Sequence, residues 1–119
     1  MLEITSPITG GRLQIALNDF ENEMSWFDAI HACESLGNGW RLPTKSELEI
    51  IYKELYLKGK GNFKPSIYWS SSEYDIEDAW FFTFDNRAAN LYGLKYYTSG
   101  IADCGNKESS KFLRAVRLC

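Results

Sequence analysis

The chain has 119 residues, which is the length of one domain with its own core, so we expect a single domain over residues 1–119. Hydrophobic residues make up 45% and charged residues 24%, as in an ordinary globular domain, and the formal net charge of −3 argues against a nucleic-acid partner. The sequence shows neither a secretory signal pattern nor a run of 18 apolar residues, so we expect no membrane insertion, and the cellular location stays open.

Aromatic residues are abundant, at 15% of the chain. This is more than a small core needs, which predicts aromatic side chains on the surface and hence a binding function. Three widely spaced cysteines, Cys33, Cys104 and Cys119, predict neither a disulfide framework nor a zinc site.

The first elements along the chain are a predicted strand and a helix. Apolar and polar side chains alternate over residues 12–17 after a Gly-Gly turn, which is typical of a strand. Ser25 then begins a helix, with Asp28 three residues later as a weak capping box, and Gly37 stands where a C-terminal cap belongs. The helical spacing predicts a buried face made of Trp26, Ala29, Ile30 and Cys33.

The stretch GWRLPTKSELEIIY, residues 39–52, predicts a second helix and its entry. Thr44 and Glu47 form a T-x-x-E capping box, in which the cap stabilises the helix by about 1 kcal/mol. Pro43 cannot continue a helix backwards, and it biases Leu42 towards an extended conformation. The apolar stripe of this helix consists of Leu48, Ile51, Tyr52 and Leu55.

The second half of the chain predicts mainly strands. A loop over residues 57–66 precedes aromatic and hydroxyl-rich strands at 67–73 and 79–85, and a last strand covers 111–118. Residues 86–111 mix turn-forming and aromatic residues. Alternation in the second of these strands places Trp80, Phe82 and Phe84 on one face and Phe81, Thr83 and Asp85 on the other. The order of a strand, two helices and several strands predicts an α+β fold.

Residues suited to catalysis are few. His31, the only histidine, lies opposite the apolar stripe of the first helix, so we interpret it as exposed and inert. Cys33 is interpreted as a core residue, and Cys104 as part of a polar loop without an adjacent basic residue. We therefore expect no enzymatic activity and no cofactor. An acidic cluster could hold calcium or form a solvated loop, although it lacks EF-hand spacing: Asp75, Glu77, Asp78, Asp85, Asn86 and Asn90.

Four segments together carry a resemblance to a known group: GWRLPTKSEL, YWSSSEY, AWFFTF and RAVR. They resemble C-type-lectin-fold domains related to formylglycine-generating enzymes, and most of all the C-terminal domain of bacterial collagen-like adhesins, over about residues 12–118. The resemblance implies two helices that flank a small twisted antiparallel sheet, paired first and last strands, and long binding loops. It also implies scaffold roles for Trp40, Arg41, Pro43, Trp69, Arg114 and Arg117.

The sequence departs from the active branches of this superfamily. It lacks the Glu-Pro-Asn, Gln-Pro-Asp and Trp-Asn-Asp motifs of calcium-dependent lectins. Cys104 and Cys119 are too far apart to match the close cysteine pair of the oxidising enzymes. A single His31 cannot supply the histidines of the iron-dependent sulfoxide synthases. No catalytic branch fits.

The chain is also similar to the variable proteins of diversity-generating retroelements, which share this fold. The residue types between Tyr74 and Asn106 match those that a mutated Asn codon produces, whereas Trp codons contain no adenine, so Trp69 and Trp80 would be constant scaffold. This hypothesis predicts a protein or cell-surface ligand, bound by a virus, phage or adhesin, with Phe81 and three tyrosines as hot spots. The predicted contact residues are Tyr74, Asp75, Phe81, Thr83, Asp85, Asn90, Tyr92, Tyr96, Tyr97 and Asp103.

Two alternatives stay open. A fixed carbohydrate or glycosaminoglycan-binding adhesin domain would use aromatic stacking together with Lys58, Lys60 and Lys64 against sulfated sugars. A purely structural virion or assembly subunit would show no exposed aromatic patch. The sequence does not indicate the oligomeric state.

Overall fold

The computed structural model describes residues 2–7, 9–85 and 100–118. Its regular elements are two α-helices, six strands and one short 3₁₀ turn. In chain order they are β1 Leu2–Thr5, β2 Arg12–Ile15, α1 Trp26–Glu34, α2 Lys45–Glu54, the 3₁₀ turn Tyr56–Lys58, β3 Ile67–Glu73, β4 Asp78–Thr83, β5 Ile101–Asn106 and β6 Val116–Leu118.

The first sheet brings the two ends of the described chain together. Its strand order is β1-β2-β6, and both pairings are antiparallel. In the pairing of β2 with β6, Ile15 lies opposite Val116 and Leu13 opposite Leu118. The predicted pairing of the strand after the Gly-Gly turn with the last strand is therefore confirmed. Strand β1, which adds an outer strand to this sheet, was not predicted from the sequence.

The second sheet, β3-β4-β5, is also antiparallel and forms the centre of the domain. One face, with Phe82, packs into a cluster that includes Leu48 and Ile51 of α2. The opposite face, with Phe81, packs into a second cluster with Trp26 of α1. Two helices and two small antiparallel sheets thus confirm the predicted α+β, C-type-lectin-like architecture.

This two-sided burial corrects one expectation. Phe81 and Thr83 were expected to be displayed, but each is only 1% exposed. The cause is that α1 and the chain before β6 cover this face of the sheet, so that both faces of β4 meet apolar layers. Alternation along a strand tells which residues share a face, and it does not tell that one face is free. Asp85 lies just past the end of β4 and is half-buried.

Capping explains where the helices begin. The Ser25 hydroxyl accepts a hydrogen bond from the amide of Asp28 at the start of α1. Thr44 and Glu47 form the reciprocal capping box of α2, as predicted. Within the described part of the chain, neither helix is long and apolar enough to span a lipid bilayer.

The C-terminal region differs most from its prediction. Only Val116–Leu118 form a strand, instead of all of residues 111–118, because Lys111 and Phe112 make single bridges to other segments. The chain then bends inward and buries Arg114 before it enters the sheet. In the preceding stretch, β5 is a full strand that the mixed composition of residues 86–111 did not predict.

Candidate ligand-binding site

A buried charge network, centred on Arg114, holds together three segments of the chain that are distant in sequence. The side chain of Arg114 has no exposed area, and its Nε donates to Oδ1 of Asp19 at 2.7 Å. The guanidinium also donates to the backbone carbonyls of Ala16, Gly61 and Asn62. Asp19 in turn accepts from the hydroxyl of Tyr68 at 2.6 Å. One buried cation thereby ties the loops after β2 and before β3 to the C-terminal segment.

The WRLP segment is held in a similar way. Arg41 makes a two-pronged ion pair with Glu47, with distances of 2.7 and 2.9 Å, and this pair raises the pKa of the guanidinium. The Pro43 carbonyl accepts from the amide of Ser71 in β3. Trp40 lies 4.6 Å from the guanidinium of Arg117. These contacts fix the entry of α2 against both sheets.

The two tryptophans of the second sheet differ in environment. Trp69 is fully buried, and its indole donates to the carbonyl of Met24 at 2.9 Å. Trp80 is only half-buried, and the Lys45 ammonium lies 3.8 Å from its ring centroid. Tyr74 stands nearly perpendicular to Trp80, with 5.7 Å between ring centroids. Trp80 is therefore part of the surface as well as of the scaffold.

We call the surface around this ring pair the aromatic–acidic surface, defined by Lys45, Glu49, Tyr74 and Trp80. Tyr74 is 59% exposed. Asp75 Oδ1 accepts from the amides of Glu77 and Asp78, which makes this acid part of the turn between β3 and β4. Of the predicted contact residues, Tyr74 and Asp75 thus lie together at this turn. Asp103 lies opposite Phe81 in the pairing of β4 with β5, so its side chain is on the other face of the sheet from Trp80.

The remaining predicted contact residues are not brought to this surface. Phe81 and Thr83 are buried, with Phe81 on the opposite face of the sheet. Asp85 lies just past the far end of β4, and its Oδ2 is 3.5 Å from the Tyr56 hydroxyl. Asn90, Tyr92, Tyr96 and Tyr97 lie outside the described residues.

A groove of about 390 Å³ runs beside Trp80, between α2 and β5. Lys45 and Glu49 of α2 line one side, and Gly100 and Ala102 line the other. Gly100 has φ +76°, and a Cβ there would meet the Tyr52 ring at 2.7 Å. Glycine is therefore required at this position both by the backbone conformation and by the close approach of the ring.

A second, larger cavity of about 610 Å³ lies between β1, the β1–β2 turn and the end of α2. Three cationic residues line it: Arg12, Lys58 and Lys60. Two glutamates also line it, with Arg12 3.3 Å from Glu3 and Lys58 3.2 Å from Glu54. We call this the cationic cavity. Lys64 belongs elsewhere, since its ammonium lies 3.6 Å from Asp19 and 5.0 Å from the Phe112 ring.

The titratable groups that could act as nucleophiles are poorly suited to it. Burial raises the pKa of the Cys33 thiol to about 12. Cys104 lies in strand β5, and not in a loop as expected; burial and then the Asp103 carboxylate raise the pKa of its thiol. His31 is exposed on α1. Among residues 2–7, 9–85 and 100–118, no three His, Cys, Asp or Glu side chains are grouped to hold a metal ion.

Lys45 and Arg12 lie at these two sites and were not predicted from the sequence. Lys45 directly follows the N-cap of α2, where acidic residues are favoured. A single lysine at this position does not by itself indicate a binding site. Arg12 of β2 lies opposite Thr5 of β1, so its place at the cationic cavity depends on β1, which was not predicted.

Comparison with known proteins bears on the identity of the chain. No curated protein matches it. A family model described as the Lcl C-terminal domain matches residues 14–117, which is most of the chain. This family comprises C-terminal domains of adhesin-like proteins, and the resemblance to adhesin domains is thereby confirmed. The chain belongs to the Lcl C-terminal domain family.

Proposed function

We propose that this protein is a non-enzymatic ligand-binding domain of an adhesin and that it binds an anionic saccharide, such as a sulfated glycosaminoglycan. The observation that carries this proposal is the convergence of Arg12, Lys58 and Lys60 on the cationic cavity. Family membership supports an attachment role. The raised pKa values of the Cys33 and Cys104 thiols support a role without covalent chemistry.

The ion pairs at the cationic cavity favour exchange with a ligand. Arg12 and Lys58 are exposed, and each pairs with a single exposed glutamate at more than 3 Å. Such surface pairs contribute only about 0–1 kcal/mol, so replacing a glutamate by a sulfate costs little. The same glutamates repel a polyanion, which predicts binding that is moderate in strength and weakened by salt.

Binding to heparin at several salt concentrations tests the proposal, with chemically desulfated heparin as the ligand control. Replacing both Lys58 and Lys60 by Gln should weaken binding about fivefold for each charge, because a cation near an anionic surface contributes about 1 kcal/mol. Lys53→Gln is the matched control. It removes the same charge from helix α2, just before the 3₁₀ turn that contains Lys58. Its ammonium likewise pairs with the glutamate four residues earlier, at 3.1 Å from Glu49.

Two outcomes would contradict the proposal. One is equal loss of affinity in Lys58→Gln and Lys53→Gln, which would mean that net charge alone decides binding. The other is binding to desulfated heparin as tight as to heparin, which would remove anionic groups from the recognition.

A second candidate ligand is a protein or cell-surface group that contacts the β3–β4 turn. The observation that favours it is the exposure of two large apolar side chains there, Tyr74 at 59% and Ile76 at 88%. Exposed aromatic side chains are frequent at binding surfaces. Replacing Tyr74 by Ala should abolish attachment to the recognised surface, while heparin binding stays unchanged.

Template-directed diversification, as in the variable proteins of retroelements, is the finer form of this second candidate. It predicts codon variation at Tyr74, Asp75 and Asp103 among clones of one population, matched to adenines in a nearby near-copy of the gene. The buried positions Phe81 and Thr83 should stay constant, because varied side chains there would disrupt the core. A uniform gene without a near-copy would contradict diversification and leave a fixed binder.

A further inference from the structure

Trp80 already carries a cation from the protein itself. The Lys45 ammonium lies 3.8 Å from its ring centroid, compared with 4.8 Å between Lys111 and the buried Trp69. Indole is the aromatic ring that attracts cations best. Since Trp80 is half-buried, its ring can be reached from solvent.

The position of Lys45 is informative because it lies in the first turn of α2. The positive end of the helix dipole disfavours a cation there. Glu49 lies one helical turn after Lys45 and lines the same groove as Trp80. A carboxylate is therefore part of the surface next to the ring.

The aromatic–acidic surface has room for more than the lysine. Tyr74 provides a second aromatic wall at 82° to Trp80. The groove of about 390 Å³ continues from Trp80 along α2. Gly100 and Ala102 keep its far side free of large side chains, and Glu49 adds an acidic group to its lining.

We propose that the aromatic–acidic surface binds a quaternary ammonium group of the choline type, which takes the place of the Lys45 ammonium over Trp80. Two perpendicular aromatic rings and the Glu49 carboxylate in the adjoining groove are the chemistry that recognises such a cation. This site shares no lining residue with the cationic cavity and takes a ligand of opposite charge. Lys45 acts as an internal competitor that a ligand must displace.

Titration of the protein with choline, followed by the NMR signals of the indole N–H groups, tests the proposal. The Trp80 signal, identified by its loss in Trp80→Leu, should shift and saturate, while the signal of buried Trp69 stays in place. The matched ligand control is 3,3-dimethylbutan-1-ol, which has the shape of choline without its charge. Equal binding of the neutral alcohol would overturn the proposal, because a cation would then not be recognised.

A variant that gains affinity for choline gives the most direct test, because its result does not depend on whether Trp80→Leu folds. Lys45→Met removes the competitor and should tighten choline binding about twofold to fivefold, the equivalent of one exposed cation–π contact. Lys58→Met removes the same charge away from the aromatic–acidic surface and should change it little. No gain in Lys45→Met relative to Lys58→Met would overturn the role of the Trp80 ring.

The source of the choline group is decided by a second ligand. Co-sedimentation of the protein with phosphatidylcholine vesicles would identify a lipid headgroup, provided that free choline reduces it. This reduction should be the same in the unchanged protein and in Lys58→Met. Binding of free choline without binding to vesicles would identify a soluble or saccharide-linked choline. The choline measurements do not depend on the outcome of heparin binding in the Lys58 and Lys60 variants. The proposal of an anionic saccharide and the proposal of a choline group can therefore be refuted independently.

Discussion

Arg114→Met is the change that should damage this domain most clearly. The guanidinium is fully buried, and its Cζ lies 4.0 Å from the Phe63 ring centroid. Asp19, its ionic partner, is 4% exposed. Removing one partner of a buried ion pair costs about 3–5 kcal/mol, because the other charge stays buried without that partner. Of its cationic partners among the described residues, Asp19 keeps the more distant Lys64 ammonium, at 3.6 Å. Against a typical total stability of about 5–15 kcal/mol, this loss is severe.

Urea unfolding measures the effect as a change in the midpoint and in the free energy of unfolding. Arg117→Met is the matched control: Arg117 also lies near the C-terminus and donates to Gln14 at 2.7 Å, but it is only half-buried. We expect about 1 kcal/mol for this control, the typical contribution of a hydrogen bond. Adding Asp19→Asn to Arg114→Met should recover part of the loss, since it removes the buried charge.

Equal unfolding free energies of Arg114→Met and Arg117→Met, within about 0.5 kcal/mol, would contradict a dominant role of the buried ion pair. A double variant less stable than Arg114→Met alone would contradict it too. Either result would mean that the network is not the source of stability that its burial and geometry indicate.

Two further changes test the core. Burial and then the Asp19 carboxylate raise the pKa of the Tyr68 phenol above its usual value. The unfolded chain therefore loses this proton first, and stability should fall above about pH 10 by up to about 1.4 kcal/mol per pH unit; urea midpoints in Tyr68→Phe should lack this slope. Gly105→Ala should destabilise by about 1–3 kcal/mol through overpacking, because a Cβ there would lie 2.9 Å from the buried Phe81 ring. An unchanged melting temperature would contradict it.

Local signals in the sequence predicted the local elements well. The T-x-x-E pattern at Thr44 and Glu47 predicted the start of α2, and both hydrogen bonds of the capping box are present. The aromatic run at 67–73 corresponds to β3 residue for residue. These predictions depended on interactions between residues a few positions apart. Such interactions determine the local backbone conformation, and they are kept in the folded domain.

Non-local packing explains what could not be predicted. The exposure of Phe81 depends on a layer built from α1 and the segment before β6, both far from it in sequence. Likewise, Lys60 and Arg12 are 48 positions apart and meet only because β1 and β2 lie beside the end of α2. Of the three lysines that were expected to act together, Lys58 and Lys60 line the cationic cavity, whereas Lys64 pairs with Asp19.

Helix α2 links the two proposed binding sites. Lys45 and Glu49 face the groove beside Trp80, whereas Ile50 and Glu54 face the cationic cavity. A helix of ten residues is about 15 Å long, so ligands of opposite charge would be held within that distance on two sides of one element. The capping box and the ion pair of Glu47 with Arg41 fix the start of this helix. The scaffold role that the resemblance implies for the WRLP segment therefore bears directly on binding, since this segment sets the position of the element that both sites share.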